Sequence, residues 1–326
     1  MGKKAEKDVK PTMRAVADAL ERYAYRSGQD AMKTWNEWLE WLCVLFDIGK
    51  MDLAADGDPL HARFEWGKKD NPDFFDAAAK WLEFSYRELQ TRGPSDALGE
   101  IYEGCFQAKG KADSLGQFFT PMHICRFMAS VCGTPHESED GIVHWNDPAV
   151  GSGRTLIAGW GAADKYAKNY FEGGDVDATS VRMTALNMMI NGMVGTVHCQ
   201  NCLSREWRFG YVVNACKVPF ANNFAALEFV GDEKTMAFKR GRLLELMQDW
   251  DVGRYRPETD TEAAEAAETR VEAAGGEDGG GEADAPAEDE KRTEGGSDAP
   301  DAAEATAGAE TAQEAESAKP EQMELF

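Results

Sequence analysis

Apolar residues recur every three or four positions in two stretches near the start of the chain. The members are Trp35, Trp38, Leu39, Trp41, Leu42, Leu45 and Phe46 in the first, and Phe74, Phe75, Ala78, Trp81, Leu82, Phe84 and Leu89 in the second. This period puts the residues of each stretch on one face of a helix. We therefore predict a helical segment from about residue 11 to residue 92, with the tryptophans in its core. The alternative is a tryptophan face that stacks on nucleic-acid bases.

The pattern changes after the Arg-Gly-Pro sequence at residues 92–94. Short β-branched runs at residues 142–143, 194–197 and 211–213 alternate with helix-like stretches at residues 155–170 and 178–191. Alternating strands and helices predict a parallel sheet covered by helices. A last amphipathic helix is expected at residues 232–250.

Beyond residue 257 the chain becomes acidic and poor in large apolar residues. Residues 258–326 hold 22 acidic and four basic residues, so most of the net charge of −23 lies there. Such a composition predicts disorder, while the nearly neutral remainder shows no chain-wide basic charge for nucleic acid. We predict four parts: a helical domain (1–94), an α/β domain (95–257), a disordered acidic linker (258–321) and a short peptide (322–326).

Composition excludes several classes of protein. The sequence contains no run of ~18 apolar residues, so no membrane span is predicted. The basic N-terminus lacks the apolar segment of a secretory signal. The seven cysteines are odd in number and scattered, which indicates free thiols in a reducing cytoplasm. The single Cys-x-x-Cys pair, Cys199 and Cys202, has no second pair to complete a zinc site, so no metal is predicted.

The strongest local motif is Asp-Pro-Ala-Val-Gly-Ser-Gly at residues 147–153, between a predicted strand and a predicted helix. Glycines at this place let the backbone turn sharply and approach a ligand at a helix N-terminus. The motif lacks the third glycine of the dinucleotide pattern, and an ordinary tight turn is the alternative. The next predicted strand ends in two acids. We assign Asp175 to ribose hydroxyls and Asp177 to the N-cap of the following helix.

Three further motifs flank these two along the chain. They are Leu-Gly-Glu-Ile-Tyr-Glu at 98–103, Gly-Gln-Phe-Phe-Thr-Pro at 116–121, and Arg-Met-Thr-Ala-Leu-Asn at 182–187. Together they resemble S-adenosylmethionine-dependent DNA adenine-N6 methyltransferases. Their order is similar to that of the modification subunit of type I restriction–modification systems. The resemblance covers about residues 95–230. It implies a Rossmann-like methyltransferase sheet with helices on both faces, S-adenosylmethionine as cofactor and DNA as substrate.

The resemblance also implies roles for single residues. Phe119, Thr120 and Pro121 would contact the methionine end of the cofactor. The cofactor loop would be formed by Asp147, Ala149, Gly151 and Gly153, with Asp175 holding the ribose. Asn201 falls where the family has a polar residue on the adenine side, although a simple loop amide is the alternative.

The chain departs from the family at the catalytic loop, where Asn-Pro-Pro-aromatic is replaced by Asn-Ala-Cys-Lys at residues 214–217. In this chemistry the base is flipped out of the helix, two carbonyl oxygens accept hydrogen bonds from the adenine amine, and an aromatic ring stacks on the base. The resemblance implies that Asn214 and Ala215 supply the carbonyls and Phe220 the ring. The lost prolines favour an alternative, a catalytically degenerate module that binds cofactor or DNA. A nicotinamide-dependent oxidoreductase is the third reading.

Two further features concern partners. Local basic residues suit phosphate contacts, or else a solvated face: Lys109, Lys111, Arg205, Arg208, Lys234, Lys239, Arg240 and Arg242. The chain shows no obvious target-recognition domain, so either the N-terminal helices or a separate specificity subunit would read DNA. Residues 322–326, Gln-Met-Glu-Leu-Phe, resemble the peptide by which bacterial proteins dock on the replication sliding clamp, and the linker would tether the enzyme to newly replicated DNA.

Overall fold

The structure is a computed structural model that describes residues 2–51, 59–107, 119–215 and 225–250. Several sequence predictions fall outside these residues. They are the disorder of residues 258–321, the clamp-type peptide at 322–326, the residues before Phe119 in the Gly-Gln-Phe-Phe-Thr-Pro motif, and the stacking role of Phe220.

Helices make up the first part of the chain, as predicted. They are α1 (Gly2–Ser27), α2 (Ala31–Leu45), α3 (Pro59–Asp70), α4 (Pro72–Arg92) and α5 (Ala97–Ile101), which continues into a π-helix (Tyr102–Gln107). Their ends follow local sequence signals. Asp30 accepts a hydrogen bond from the Lys33 amide to start α2, and Gly93, with φ of 74°, ends α4.

The large aromatic residues of these helices form a core. Trp35, Trp38 and Trp81 have no exposed surface, and the indole N–H of Trp38 donates to the Phe74 carbonyl at 3.1 Å. A buried ring cannot stack on nucleic-acid bases, so the alternative reading of these three tryptophans is wrong. Their apolar area instead stabilises the packing of α2 against α4.

Five strands form one sheet in the order β1-β2-β3-β4-β5: β1 (Val143–Asp147), β2 (Asn169–Asp175), β3 (Gly195–Gln200), β4 (Trp207–Val213) and β5 (Leu227–Val230). The first three strands are parallel, whereas β4 is antiparallel to both β3 and β5. The prediction of a parallel sheet is therefore confirmed for β1, β2 and β3 and wrong for β4 and β5. The six residues between β3 and β4 are too few for a crossover connection, which takes a dozen or more, so the chain can only turn back.

Helices cover both faces of the sheet, which confirms the α/β, Rossmann-like class. The helices of this part are α6 (Met122–Cys132), α7 (Arg154–Ala162), α8 (Ala178–Ile190) and α9 (Glu233–Gln248). Leu156 and Val181, from α7 and α8, join the core shared with the N-terminal helices. On the other face, Met236 and Leu243 of α9 pack with Tyr170 in a second core.

The N-terminal helices pack directly on the α/β part. Helix α2 contacts α8, where the Thr179 hydroxyl donates to the Asn36 side chain at 2.8 Å and Arg182 pairs with Glu40. The aromatic ring of Trp35 lies 4.7 Å from that of Phe106. Both parts share one hydrophobic core, and the domain boundary at residues 94–95 stays a prediction.

Candidate cofactor site

The loop between β1 and α7 is shaped by its own side chains and glycines. The Asp147 carboxylate accepts a hydrogen bond from the Ala149 amide at 3.0 Å and another from the Thr155 hydroxyl. Gly151 and Gly153 have φ of 56° and 96°, a left-handed conformation that other residues adopt only with strain. Asp147 thus holds the start of α7 against the end of β1, and the two glycines make the turn between them.

Asp175, at the end of β2, is bonded to this loop. Its Oδ2 accepts from the Gly151 amide at 2.9 Å, and its Oδ1 accepts from the Asp177 amide at 2.9 Å. Each carboxylate oxygen can accept a further hydrogen bond. The Asp177 carboxylate accepts from the Ser180 amide at 2.9 Å, which confirms Asp177 as the N-cap of α8.

Residues 119–121 meet the same loop. The Phe119 ring lies so close to Gly151 that a Cβ there would come within 2.9 Å of Phe119 Cδ1. The Thr120 carbonyl accepts from the Arg154 guanidinium at 3.5 Å, and Pro121 stands at the start of α6. The structure therefore brings the predicted methionine-side residues and the glycine loop together.

A buried carboxylate, Asp96, holds the loop between β1 and α7 through hydrogen bonds. Asp96 has no exposed surface and accepts hydrogen bonds from four groups. The donors are Ser152 Oγ at 2.5 Å, Arg154 Nε at 2.6 Å, Asn187 Nδ2 at 2.6 Å and the Gly99 amide at 2.7 Å. One side chain therefore ties α5, the loop between β1 and α7, and α8 to each other.

The charges around Asp96 are compensated within the protein. Arg154, itself buried, also binds the Glu103 carboxylate at 2.6 Å. Burial raises the pKa of Asp96, although the Arg154 guanidinium and the hydrogen-bond donors oppose this shift. Burial and the nearby carboxylates of Glu88 and Asp96 raise the pKa of Glu100 to about 7. Because Asp96 and Arg154 are buried, the low dielectric around them strengthens the hydrogen bonds and ion pairs that support the loop.

Sequence reasoning missed this network. Asp96, Ser152 and Arg154 are not among the predicted site residues, because a buried supporting side chain does not itself face a ligand. A signal was present, however: Asp96 precedes the Leu-Gly-Glu-Ile-Tyr-Glu motif, and Asn187 ends the Arg-Met-Thr-Ala-Leu-Asn motif. Polar residues inside otherwise apolar helical stretches indicate buried partners, and here those partners belong to one another.

Asn214 has a different environment from the one predicted. Its side chain is fully buried, and its Nδ2 donates to the carbonyls of Met189 at 3.1 Å and Met193 at 2.8 Å. Its Oδ1 accepts from the Ala226 amide at 3.2 Å, and its φ of 55° is left-handed. The amide group is therefore engaged in joining β4 to the end of α8 and to β5.

The position of Asn214 in the sheet separates it from the loop. Because β4 is antiparallel to β3, Val213 pairs with Gly195, the first residue of β3, whereas the loop lies at the carboxyl ends of β1 and β2. The paired length of β3 separates these two ends of the sheet by roughly 13 Å along the strand direction. The structure therefore places Asn214 and Ala215 at the end of the sheet away from Gly151 and Asp175, and their catalytic role stays a prediction.

We expect the Asn214→Ala substitution to destabilise the protein by about 1–3 kcal/mol. It removes the hydrogen bonds of the Asn214 side chain to the Met193 carbonyl and the Ala226 amide, and one of the bonds to the Met189 carbonyl, and it puts alanine in a left-handed conformation. Urea unfolding of the full chain, followed by circular dichroism, measures the change. An unfolding curve that coincides with the wild-type curve contradicts this structural role.

Asn201 lies at the same edge as the cofactor loop, just after β3. Its Oδ1 accepts from the amides of Leu203 at 3.0 Å and Ser204 at 3.2 Å, which is the geometry of a loop amide. Two exposed apolar side chains follow the strands at this end of the sheet. They are Val176, directly after Asp175, and Leu203, two residues after Asn201. In the described part of the chain, no group of three or more His, Cys, Asp or Glu side chains could hold a metal ion.

A glycine turn after β1, an acid after β2 and helices on both faces of the sheet define a Rossmann-like domain. Residues 93–234 match the family model of N-6 DNA methylases. The match, which covers less than half of the chain, confirms the resemblance drawn from the motifs.

One solved structure with similarity to the chain is the methyltransferase subunit of a type I restriction–modification system from Streptococcus thermophilus. The two are 17% identical with a TM-score of 0.30, and the match covers 61% of this chain and 40% of that chain. This chain therefore matches less than half the length of that subunit. No curated protein matches the sequence. None of the helices within the described ranges is long and apolar enough to cross a membrane.

Proposed function

We propose that the loop at residues 147–153 and Asp175 bind S-adenosylmethionine. The carrying observation is the pair of hydrogen bonds from the Gly151 and Asp177 amides to Asp175, which fix its carboxylate beside the glycine turn. The residues present suit a nucleoside. The carboxylate has acceptor capacity for sugar hydroxyls, and the exposed Val176 offers an apolar contact for a base. Phe119, Thr120 and Pro121 would line the methionine end.

We further propose that the protein is a DNA adenine-N6 methyltransferase. Bound S-adenosylmethionine supplies an electrophilic methyl group. The protein must hold a flipped adenine in line with this methyl group and accept hydrogen bonds from the exocyclic amine. In the chain's own sequence Asn214, the Ala215 carbonyl and Phe220 are the candidates for this acceptor side. Asn214 would have to exchange its present hydrogen-bond partners for the base. Methyl transfer would therefore require a rearrangement of the chain around Asn214.

One observation favours a second candidate, a module that binds cofactor or DNA without turnover. The Asn214 amide is fully buried and holds three hydrogen bonds at the sheet edge away from the loop. A chain with a complete cofactor loop and a buried acceptor residue would retain cofactor binding and lose transfer. The two candidates make the same prediction for binding and opposite predictions for methylation.

The partners follow from the same reasoning. DNA is the proposed substrate, and a separate specificity subunit is the proposed reader of the target sequence. Residues 322–326 are proposed to dock on a sliding clamp. A reducing compartment such as the cytoplasm suits the cysteines, because the six in the described ranges are free thiols.

Calorimetry and methyl transfer, both with the full chain, test the proposal together. We expect heat on titration with S-adenosylmethionine, and N6-methyladenine in duplex DNA after incubation with isotope-labelled cofactor, detected by mass spectrometry of the digested nucleosides. Binding without methyladenine supports the second candidate. No heat, together with no labelled base, contradicts both candidates.

A further inference from the structure

The hairpin between β3 and β4 stands at the same end of the sheet as the proposed cofactor loop. Cys199, near the end of β3, pairs with Asp175 on one side and with Phe209 of β4 on the other. Its thiol also donates to the Val176 carbonyl at 3.5 Å. The connecting residues, 201–206, therefore follow directly on the part of the sheet that holds the proposed ribose-binding acid.

The tip of this hairpin has one defined shape. The Asn201 carbonyl accepts from the Arg205 amide at 2.7 Å, and the Asn201 amide donates to the Glu206 carbonyl at 3.1 Å. Together with the two bonds to the Asn201 side chain, these bonds close the loop on itself. Arg205 has φ of 59°, a left-handed conformation that is costly for a residue with a Cβ. Such a residue in place of glycine is typical of a functional segment.

The tip presents an apolar side chain together with exposed cations. Leu203 is 92% exposed, more than any other large apolar side chain in the described ranges. Arg205 and Arg208 are exposed as well, and neither forms an ion pair with a carboxylate of the residues that the structure describes. Glu206 is the one acid of residues 201–208. This combination suits a ligand that is apolar inside and anionic outside, as the stacked bases and phosphates of duplex DNA are.

We propose that Leu203 inserts into the base stack of duplex DNA and fills the gap that the flipped base leaves, while Arg205 and Arg208 bind phosphates beside that gap. The inference rests on the proposed function, because base flipping by a methyltransferase opens such a gap. Apolar side chains such as leucine wedge between base steps in other DNA-binding proteins, and cationic side chains bind phosphates whatever the sequence.

The alternative occupant of this surface is the cofactor itself. Val176, 60% exposed, is the proposed apolar contact for the base of the cofactor, and Leu203 would then cover that base from the hairpin. Charge favours DNA, because S-adenosylmethionine has no phosphate and its sulfonium is itself a cation, which two arginines would repel. The two occupants predict different effects of Leu203 on cofactor affinity.

Binding to a duplex with a central abasic site tests the wedge without knowledge of the target sequence. Such a duplex already contains the gap, so we expect the full chain to bind it roughly tenfold more tightly than the intact duplex, as measured by fluorescence anisotropy. We expect L203A to lose this preference and L203M, which keeps an apolar wedge, to retain it. The matched control is L246A, which shortens an exposed leucine near the end of α9 and should leave the preference unchanged. Circular dichroism checks that the variants keep the fold.

Salt dependence tests the two arginines. R205Q/R208Q removes two charges near the gap, so the slope of log K against log salt concentration should fall by about 2 in magnitude. The phosphates are present in both duplexes, so the double variant should weaken binding to the abasic and the intact duplex alike. An unchanged slope overturns the phosphate contacts.

Alkylation of the native thiols locates the bound DNA. Cys202, next to Leu203, and Cys132, at the far end of α6 from Pro121, are the exposed cysteines of the described ranges. We expect saturating abasic duplex to protect Cys202 from N-ethylmaleimide and to leave Cys132 as reactive as in the free protein. Mass spectrometry of the digested protein measures both.

Several results overturn the wedge. They are a full chain that binds no duplex DNA or has no preference for the abasic duplex, an L203A variant that keeps the preference, and a Cys202 thiol that stays reactive in the complex. An L203A variant that loses cofactor affinity in calorimetry, with its DNA preference intact, assigns Leu203 to the cofactor instead. Cofactor binding and methyl transfer by the wild type are measured separately, so failure of the wedge is distinguishable from failure of the proposed function.

Discussion

Replacing Asp96 with alanine should lower the free energy of unfolding by about 3–5 kcal/mol, the usual loss when one partner of a buried ion pair is removed. Arg154 would keep its charge in the interior with Glu103 as its one carboxylate partner. Ser152 Oγ, the Gly99 amide and Asn187 Nδ2 would each lose a hydrogen-bond acceptor. Urea unfolding of the full chain measures the difference.

A double-mutant cycle separates the ion pair from the other bonds. We expect D96A/R154M to be more stable than the sum of D96A and R154M predicts, because the double variant buries no unpaired charge. The control is D232A, which removes the exposed N-cap of α9 and should lower stability by about 0.5–2 kcal/mol. Strict additivity of D96A and R154M would show that the buried pair does not act as a unit.

The helices and most strands could be predicted from the sequence because their apolar periods and caps are local. The stripe around Trp35 and Trp38 gave α2, and Asp177 was correctly assigned as the cap of α8. The grouping of Phe119 with Gly151 followed from recognising ordered motifs. No spacing rule would have placed them in contact, because the chain between them passes through α6 and β1.

The direction and position of β4 could not be read from the residues of that strand. A β-branched run such as Tyr211 to Val213 is compatible with either direction of a strand in a sheet. The parallel order was inferred from the alternation of strands and helices along the chain. The short connection after β3 decides otherwise. The fate of Asn214 follows, since a residue at the opposite edge meets the end of α8 instead of the cofactor loop.

Replacing Asp175 with alanine should weaken binding of S-adenosylmethionine by roughly 10- to 100-fold, the equivalent of about 1.5–3 kcal/mol for hydrogen bonds to a charged group. The substitution removes the proposed acceptor of the ribose hydroxyls. It also frees the Gly151 amide, which donates to this carboxylate at 2.9 Å, so the glycine turn loses its fixed position. Calorimetric titration of the full chain with the cofactor measures the affinity.

The acid two residues further on provides the matched control. Asp177 caps α8 through the Ser180 amide, so D177A should lower stability by about 0.5–2 kcal/mol and leave the cofactor affinity close to that of the wild type. Its backbone amide still donates to Asp175, because the substitution changes only the side chain. Equal losses of affinity in D175A and D177A would contradict a ribose contact by Asp175. Such a contact predicts a loss in D175A alone, whereas a loss of stability at this end of the sheet would lower the affinity of both variants.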